Sequence, residues 1–180
     1  MKGIATRGFT LVEMLVSITI LGIIAVAVIP LLSSNDPQKL SVAAEETANL
    51  LRFALSVASR TGGYVLVDGR TTEGQLSLHN SDSSGNPGSA IDDPLTKRAA
   101  ILDVSGSPFS RGVTLAPQFR AGGSAWLQLL VGPGLSQLQA FDGISTNKGV
   151  LQAGSGVELS YGNQSVTVGI NEVTGLVSLP

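Results

Sequence analysis

The chain of 180 residues has no cysteine, a single histidine and only 13% charged residues. Lack of cysteine excludes a thiol nucleophile and a lipid-modified cysteine anchor, but says little about redox compartment. His79 lies in a predicted strand or at its edge, and no serine or acid stands at a spacing that marks a triad partner. Asp92-Asp93-Pro94 lacks the alternating oxygen ligands of an EF-hand loop and reads as a turn or helix cap. Glu158 and Glu172 stand alone near the end of the chain. No catalytic residue, metal site or cofactor is therefore expected.

What the chain does have is a long apolar run. From Met14 to Leu32 there are 19 residues without a charge, enough to cross roughly 30 Å of hydrocarbon as a helix. Lys2 and Arg7 ahead of it keep the N-terminus on the cytoplasmic side and place the remainder outside. A secretory signal has a shorter apolar region followed by small residues at a cleavage site. Here the run ends in Ser33-Ser34-Asn35-Asp36-Pro37, and the small residue best placed for processing, Gly8, lies before it. Glu13, at the head of the run, needs an explanation, because a carboxylate at mid-bilayer costs about 2.5–3.5 kcal/mol on insertion scales. It either snorkels to the interface of a plain signal-anchor or has a partner. Thr10 is placed to cap the helix start.

Gly8-Phe9-Thr10-Leu11-Val12-Glu13, behind an eight-residue basic leader, resembles the class III leader of type IV pilins and pseudopilins. The resemblance implies that a prepilin peptidase cuts after Gly8 and N-methylates Phe9. It also implies that Glu13 faces the terminal amine of a neighbouring subunit when helices bundle into a filament. Gly22 and Pro30 both weaken the helical hydrogen-bond ladder, so a kink or unwound patch is expected between them. In the family such a pair resembles the part that loosens on assembly; an ordinary membrane-helix proline is the alternative.

Asp36-Pro37 reads as an N-cap with proline at the first helical position. Leu40, Ala43, Thr47, Leu50, Leu51, Ala54, Val57 and Ala58 then recur at three- and four-residue intervals, the mark of one buried helical face. Gly62-Gly63 ends it. Residues 61–180 hold 19 of the 22 glycines and six of the eight prolines, which predicts short strands joined by turns. The expected strands are Tyr64–Val67, Gln75–Leu78, Ala99–Val104, Val113–Ala116, Ala125–Val131, Gln137–Phe141, Val157–Tyr161, Ser165–Ile170 and Leu176–Leu179, the last two paired as a hairpin. Ser81–Ala90 is expected to be an exposed loop.

The expected fold is α+β: a long N-terminal hydrophobic helix followed by an antiparallel β-sheet or β-sandwich domain. The chain divides into a leader (1–8), a transmembrane and assembly helix with stalk (9–60) and a periplasmic β-rich domain (61–180). Leu50–Arg60 with Thr61-Gly62-Gly63 and Tyr64–Val67 resembles the H-type minor pseudopilins of type II secretion and their pilus relatives, the GspH/FimT family. That resemblance implies a structural subunit, not an enzyme, with prepilin peptidase, other pseudopilins or pilins, the inner membrane and secreted cargo as partners. Two alternatives stay open: a minor pilin of a type IV pilus, including a DNA-uptake pilus, and a signal-anchored periplasmic binding module. Nucleic acid is a disfavoured partner. Loss of Lys2 and Arg7 with the leader leaves 9 cations against 13 acids, no cation follows Lys148, and DNA affinity comes from phosphate neutralisation. Lys97, Arg98, Arg111 and Arg120 would have to cluster to offset this.

Overall fold

The computed structural model describes residues 10–32, 36–133 and 138–179, with side chains given there except for residues 25–37. The chain divides between Asn35 and Asp36 into two units. The first holds α1 (Leu11–Leu32). The second begins with α2 (Asp36–Thr61) and continues as β1 (Tyr64–Asp68), β2 (Gln75–Ser81), β3 (Pro87–Ala90), β4 (Ile101–Asp103), β5 (Thr114–Ala121), β6 (Ser124–Trp126), β7 (Gln128–Val131), β8 (Leu138–Phe141), β9 (Asn147–Val150), β10 (Gly156–Tyr161), β11 (Gln164–Ile170) and β12 (Val177–Ser178). Every pairing is antiparallel. One sheet runs β3-β2-β1-β7-β8-β9, with β4 sharing the outer edge of β2, and the other runs β12-β11-β10-β5-β6. The fold is α+β, as expected.

α2 is the element that both sheets share. Its buried face holds Leu40, Ala43, Thr47, Leu51, Ala54, Val57 and Ala58, as the periodicity predicts, and adds Ala44 and Ala48; Leu50 is half-buried at the margin. Buried alanines let strand backbones approach closely, and α2 touches β1, β4 and β7 of one sheet and β10, β11 and β12 of the other. Thr47 Oγ1, the one hydroxyl on this face, donates to the Ala43 carbonyl at 2.7 Å, so no polar atom is left unsatisfied there. The helix stops where glycine permits it. Gly62 adopts φ 67° and its N–H donates to the Ala58 carbonyl at 3.0 Å, closing the last turn. Two cations fasten α2 to the second sheet: Lys39 Nζ donates to Tyr161 Oη at 2.8 Å, and Arg52 donates to the Val177 carbonyl at 3.2 Å.

Several expectations for strands and loops change, and β2 runs on past Leu78 to Ser81. Ala125–Val131 is two strands in different sheets, β6 and β7, parted at Leu127, whose carbonyl accepts from Gly69 N–H at 3.1 Å. A Cβ at Gly69 would lie 2.5 Å from the Pro117 ring, so this corner between the sheets needs the glycine. β5 runs through Pro117 instead of stopping before it. β6 pairs only from Phe119 onward, so one side of β5 is an edge at Pro117, where a strand tolerates a missing N–H. Along β5, Leu115, Pro117, Phe119 and Ala121 turn inward in strict alternation. Ser81–Ala90 is not all loop: Pro87–Ala90 forms β3 against β2 across a bulge between His79 and Ser81. β9 also went unforeseen, because Asn147-Lys148-Gly149-Val150 has no strand-like composition.

The loop that remains, residues 82–86, covers a second small core on the far face of the first sheet, where Leu66, Leu130 and Phe141 are buried with Tyr64 beside them. Gly85 sits over the Phe141 ring at φ 76°, and a Cβ there would fall 2.4 Å from it. Ser145 hydrogen-bonds Asn86, joining this loop to the β8–β9 turn. The expected terminal hairpin is present. Asn171 Oδ1 accepts from Val173 N and Thr174 N at 3.0 and 2.8 Å, and Ile170 then pairs with Val177.

Aspartates anchor three other turns. Asp82 accepts from the Asn86 side chain at 2.7 Å and from Ser84 N at 2.8 Å; Asp93 from Thr96 N and Leu95 N, both at 2.8 Å; Asp103 from Gly106 N and Ser105 Oγ, both at 2.8 Å. These donors, led by the Asn86 amide, the Thr96 N–H and the Gly106 N–H respectively, hold the three carboxyls below the usual aspartate range. A carboxyl whose acidity is strengthened on folding stabilises the fold above the unfolded value, near about 3.9. That contribution fades as pH falls through the lowered folded value. Replacing Asp103→Asn should therefore flatten the fall in thermal stability between about pH 5 and pH 2; an unchanged pH profile in the variant would contradict this. Leu51→Ala, at the centre of the α2 face, should cost about 2–5 kcal/mol in denaturant unfolding of the detergent-solubilised chain.

Candidate assembly site

The start of α1 is built by two residues. Thr10 Oγ1 accepts from Glu13 N at 3.3 Å, and Glu13 Oε2 accepts from Thr10 N at 3.4 Å, while Thr10 O takes the first helical bond from Met14 N at 3.2 Å. This is a reciprocal capping box: each side chain satisfies an N–H that the helix end leaves without a partner. Thr10 is thus a cap, as its position predicts, and Glu13 is the other half of the same device. The bonds are long, and Glu13 Oε1 takes no hydrogen bond among the described residues. One carboxylate oxygen serves the helix, and the other has no donor among the described residues.

Beyond the box, every described side chain from Leu11 to Ile24 is exposed, and apolar residues lie on all sides of the helix. A helix that is apolar all round belongs in a membrane or among other helices. Its two hydroxyls are turned back on the backbone: Ser17 Oγ donates to the Glu13 carbonyl at 2.8 Å and Thr19 Oγ1 to the Leu15 carbonyl at 2.7 Å. Nothing polar therefore faces outward between Met14 and Ile24. Among the described residues no helix is long and apolar enough to cross a membrane; the described side chains stop at Ile24, partway along the run from Met14 to Leu32.

Of the residues singled out by sequence, Gly8 and Phe9 lie outside the described residues. Gly22 lies within α1 with nothing within 4 Å of the position a Cβ would take, so it leaves a dent in an otherwise crowded apolar surface. α1 runs as one helix from Leu11 to Leu32, through Gly22 and the Pro30 backbone, without the unwound patch expected between them. Where no solvent donor is at hand, a helix keeps its backbone bonds internal, which outweighs the local penalties of glycine and proline.

The remaining candidates stay dispersed. His79 sits half-buried in β2 with Nε2 3.1 Å from Ser77 Oγ, and the Asp68 carboxylate accepts from Arg70 N at 2.8 Å, not from the imidazole. Asp93 is occupied by its turn. Among the described residues no three His, Asp or Glu side chains come together as a metal site. Arg111 lies in the turn before β5 and Arg120 near the strand's far end, with Thr114 to Arg120 alone spanning about 20 Å at roughly 3.3 Å per residue.

A family model described as the prokaryotic N-terminal methylation motif matches residues 5–29, which spans the capping box and most of the apolar run. The chain carries this motif over that segment alone. The crystal structure of the type IV minor pilin FimU from Pseudomonas aeruginosa strain PAO1 is similar over 78% of this chain and 87% of that one, with 14% identity and a TM-score of 0.48. No curated protein matches the chain.

Loss of the cap should be measurable by itself. Thr10→Ala should destabilise the first turn of α1 by about 0.5–2 kcal/mol, seen as several-fold faster amide exchange at residues 11–14 in micelles. Unchanged exchange would mean that the box does not hold the helix start.

Proposed function

We propose that this protein is a structural subunit of a type II secretion pseudopilus, of the minor, H-type kind, made as a precursor and processed after Gly8. Its role is mechanical. The observation that carries the reading is the Thr10–Glu13 box at the head of a charge-free apolar helix, inside the methylation-motif match. Both residues of the box lie downstream of Gly8, so the device survives removal of the leader. In the mature chain the amine of Phe9, N-methylated, becomes the new terminus. The open oxygen of Glu13 suits the Phe9 amine of a neighbouring subunit, and such a pairing sets the register of helices stacking into a filament.

Before assembly the apolar helix stores the subunit in the inner membrane, with the leader cytoplasmic and the β-rich unit periplasmic. Prepilin peptidase removes the leader. After assembly the same apolar surface packs against other pseudopilins, and Gly22 and Pro30 give the helix points of adjustment. The β-rich unit presents its surface to fellow subunits or to cargo. Absence of cations after Lys148, and hence from the Val173–Leu179 hairpin, favours secretion over DNA uptake.

Co-expression with a prepilin peptidase, followed by mass spectrometry of the mature N-terminus, should find methylated Phe9; an intact Met1–Gly8 segment would overturn the reading. Glu13→Gln separates the two tasks of the carboxylate. Glutamine still completes a capping box, so the variant should insert and fold normally yet be incorporated into filaments at least about tenfold less, the effect of losing an ion pair worth roughly 1.4 kcal/mol or more in an apolar surrounding. Normal incorporation would remove the register role.

A further inference from the structure

The globular unit contains a feature that helix packing does not use. Between α2 and β4, the side chains of Leu50, Phe53, Ile101 and Leu102 line an open groove of about 450 Å³. Two carboxylates stand on it, Glu46 from α2 and Asp93 from the turn before β4. Asp93 Oδ1 accepts from both the Leu95 and Thr96 amides, and the nearby Lys97 further favours its charge. Glu46 differs. It has neither an ion pair nor a hydrogen bond among the described residues, and burial, with nothing to offset it, pushes its carboxyl above the usual glutamate range. Lys97 and Arg98 lie on the same turn without pairing to it. A partly buried carboxylate without a partner, beside an apolar floor, suits a cation carried on an apolar or aromatic segment.

The loop between β4 and β5 carries that combination. Phe109 is 71% exposed, a large aromatic surface left in water. Two residues on, Arg111 is exposed and has no ion pair among the described residues. Ser110 between them is buried, its Oγ donating to the Val104 carbonyl at 3.0 Å, so the ring and the guanidinium flank an anchored point and not a loose tip. The loop is thus partly ordered before it binds anything, which lowers the entropy lost on docking.

We propose that Phe109 and Arg111 of one copy of this chain dock in the groove of a second copy, Phe109 against Leu50, Phe53 and Ile101, and Arg111 on Glu46. Groove and loop are different patches of one unit. The contact is therefore heterologous: each copy that offers its loop keeps a free groove, and the interaction can repeat along a row of subunits. It rests on the reading of the chain as a filament subunit and adds that two copies meet, through the β-rich unit and not the helix.

Lack of native cysteine permits a direct test. Full-length Asn49→Cys, on the groove side of α2, and Pro108→Cys, beside the loop, are mixed in phospholipid vesicles and treated with a short bis-maleimide. The mixed sample should give cross-linked dimer well above either variant alone. Glu46→Arg or Arg111→Glu should each lower the yield about tenfold or more, as expected when one partner of a desolvated ion pair is reversed. The two reversals on opposite partners should restore it, which also shows that the variants fold. Equal yields in unmixed samples, or a yield indifferent to both reversals, would overturn the contact. A chain that is cleaved after Gly8 and enters filaments without this cross-link refutes the contact alone. A chain that keeps its leader yet cross-links with the expected charge dependence supports the contact and refutes the filament reading alone.

Discussion

The globular unit depends on how closely one helix can approach two sheets. α2 meets strands of both, and it does so through Ala43, Ala44, Ala48, Ala54 and Ala58, whose side chains add almost nothing to the helix radius. Leu40, Leu51 and Val57 fill the space that remains. A larger residue at any of the alanines would force the strands outward, and close-packed cores absorb added volume poorly. The polar ties from Lys39 to Tyr161 and from Arg52 to the Val177 carbonyl matter less in energy than in direction. They pull the second sheet, including its short last strand, onto the same helix.

Carboxylates divide into two groups by what surrounds them. Asp82, Asp93 and Asp103 each accept at least two local donors and hold turns, although the two amides on Asp93 share one oxygen. Glu13 and Glu46 differ. Glu13 gives one oxygen to the capping box at the head of an apolar helix, and its other oxygen has no donor among the described residues; Glu46 is partly buried beside an apolar groove and has no ion pair among them. These two acids, with the exposed apolar side chains of α1, are the features on which the proposed role in association rests.

Legibility followed the range of the interaction involved. The buried face of α2 was readable because its contacts repeat every three to four residues, and only Ala44 and Ala48 were added by the structure. The terminal hairpin was readable because Asn171 and Gly175 form their turn among themselves. By contrast, the split at Leu127 arises where Gly69 and Pro117, remote in sequence, crowd the chain and send β6 and β7 to different sheets. Pro117 stopped a strand on paper and not in the fold, since only the pairing of β6 reveals that this part of β5 has a free edge. The loop over Phe141 carried no sequence signal of burial, because its neighbour Ser145 lies 59 residues away.

At the N-terminus, the sequence by itself determined what the proposed assembly role draws on: the order of Gly8, Phe9, Thr10 and Glu13, and the uncharged run behind them. Such local geometry needs no tertiary contact. Only the tertiary structure decided that Glu46 is partly buried beside β4, and that Phe109 and Arg111 are held out from an anchored loop. Those properties depend on which atoms are removed from water and which donors come within reach. Burial and pairing of that kind are set by residues far apart along the chain, and they come into being only when α2 and the two sheets close around one core.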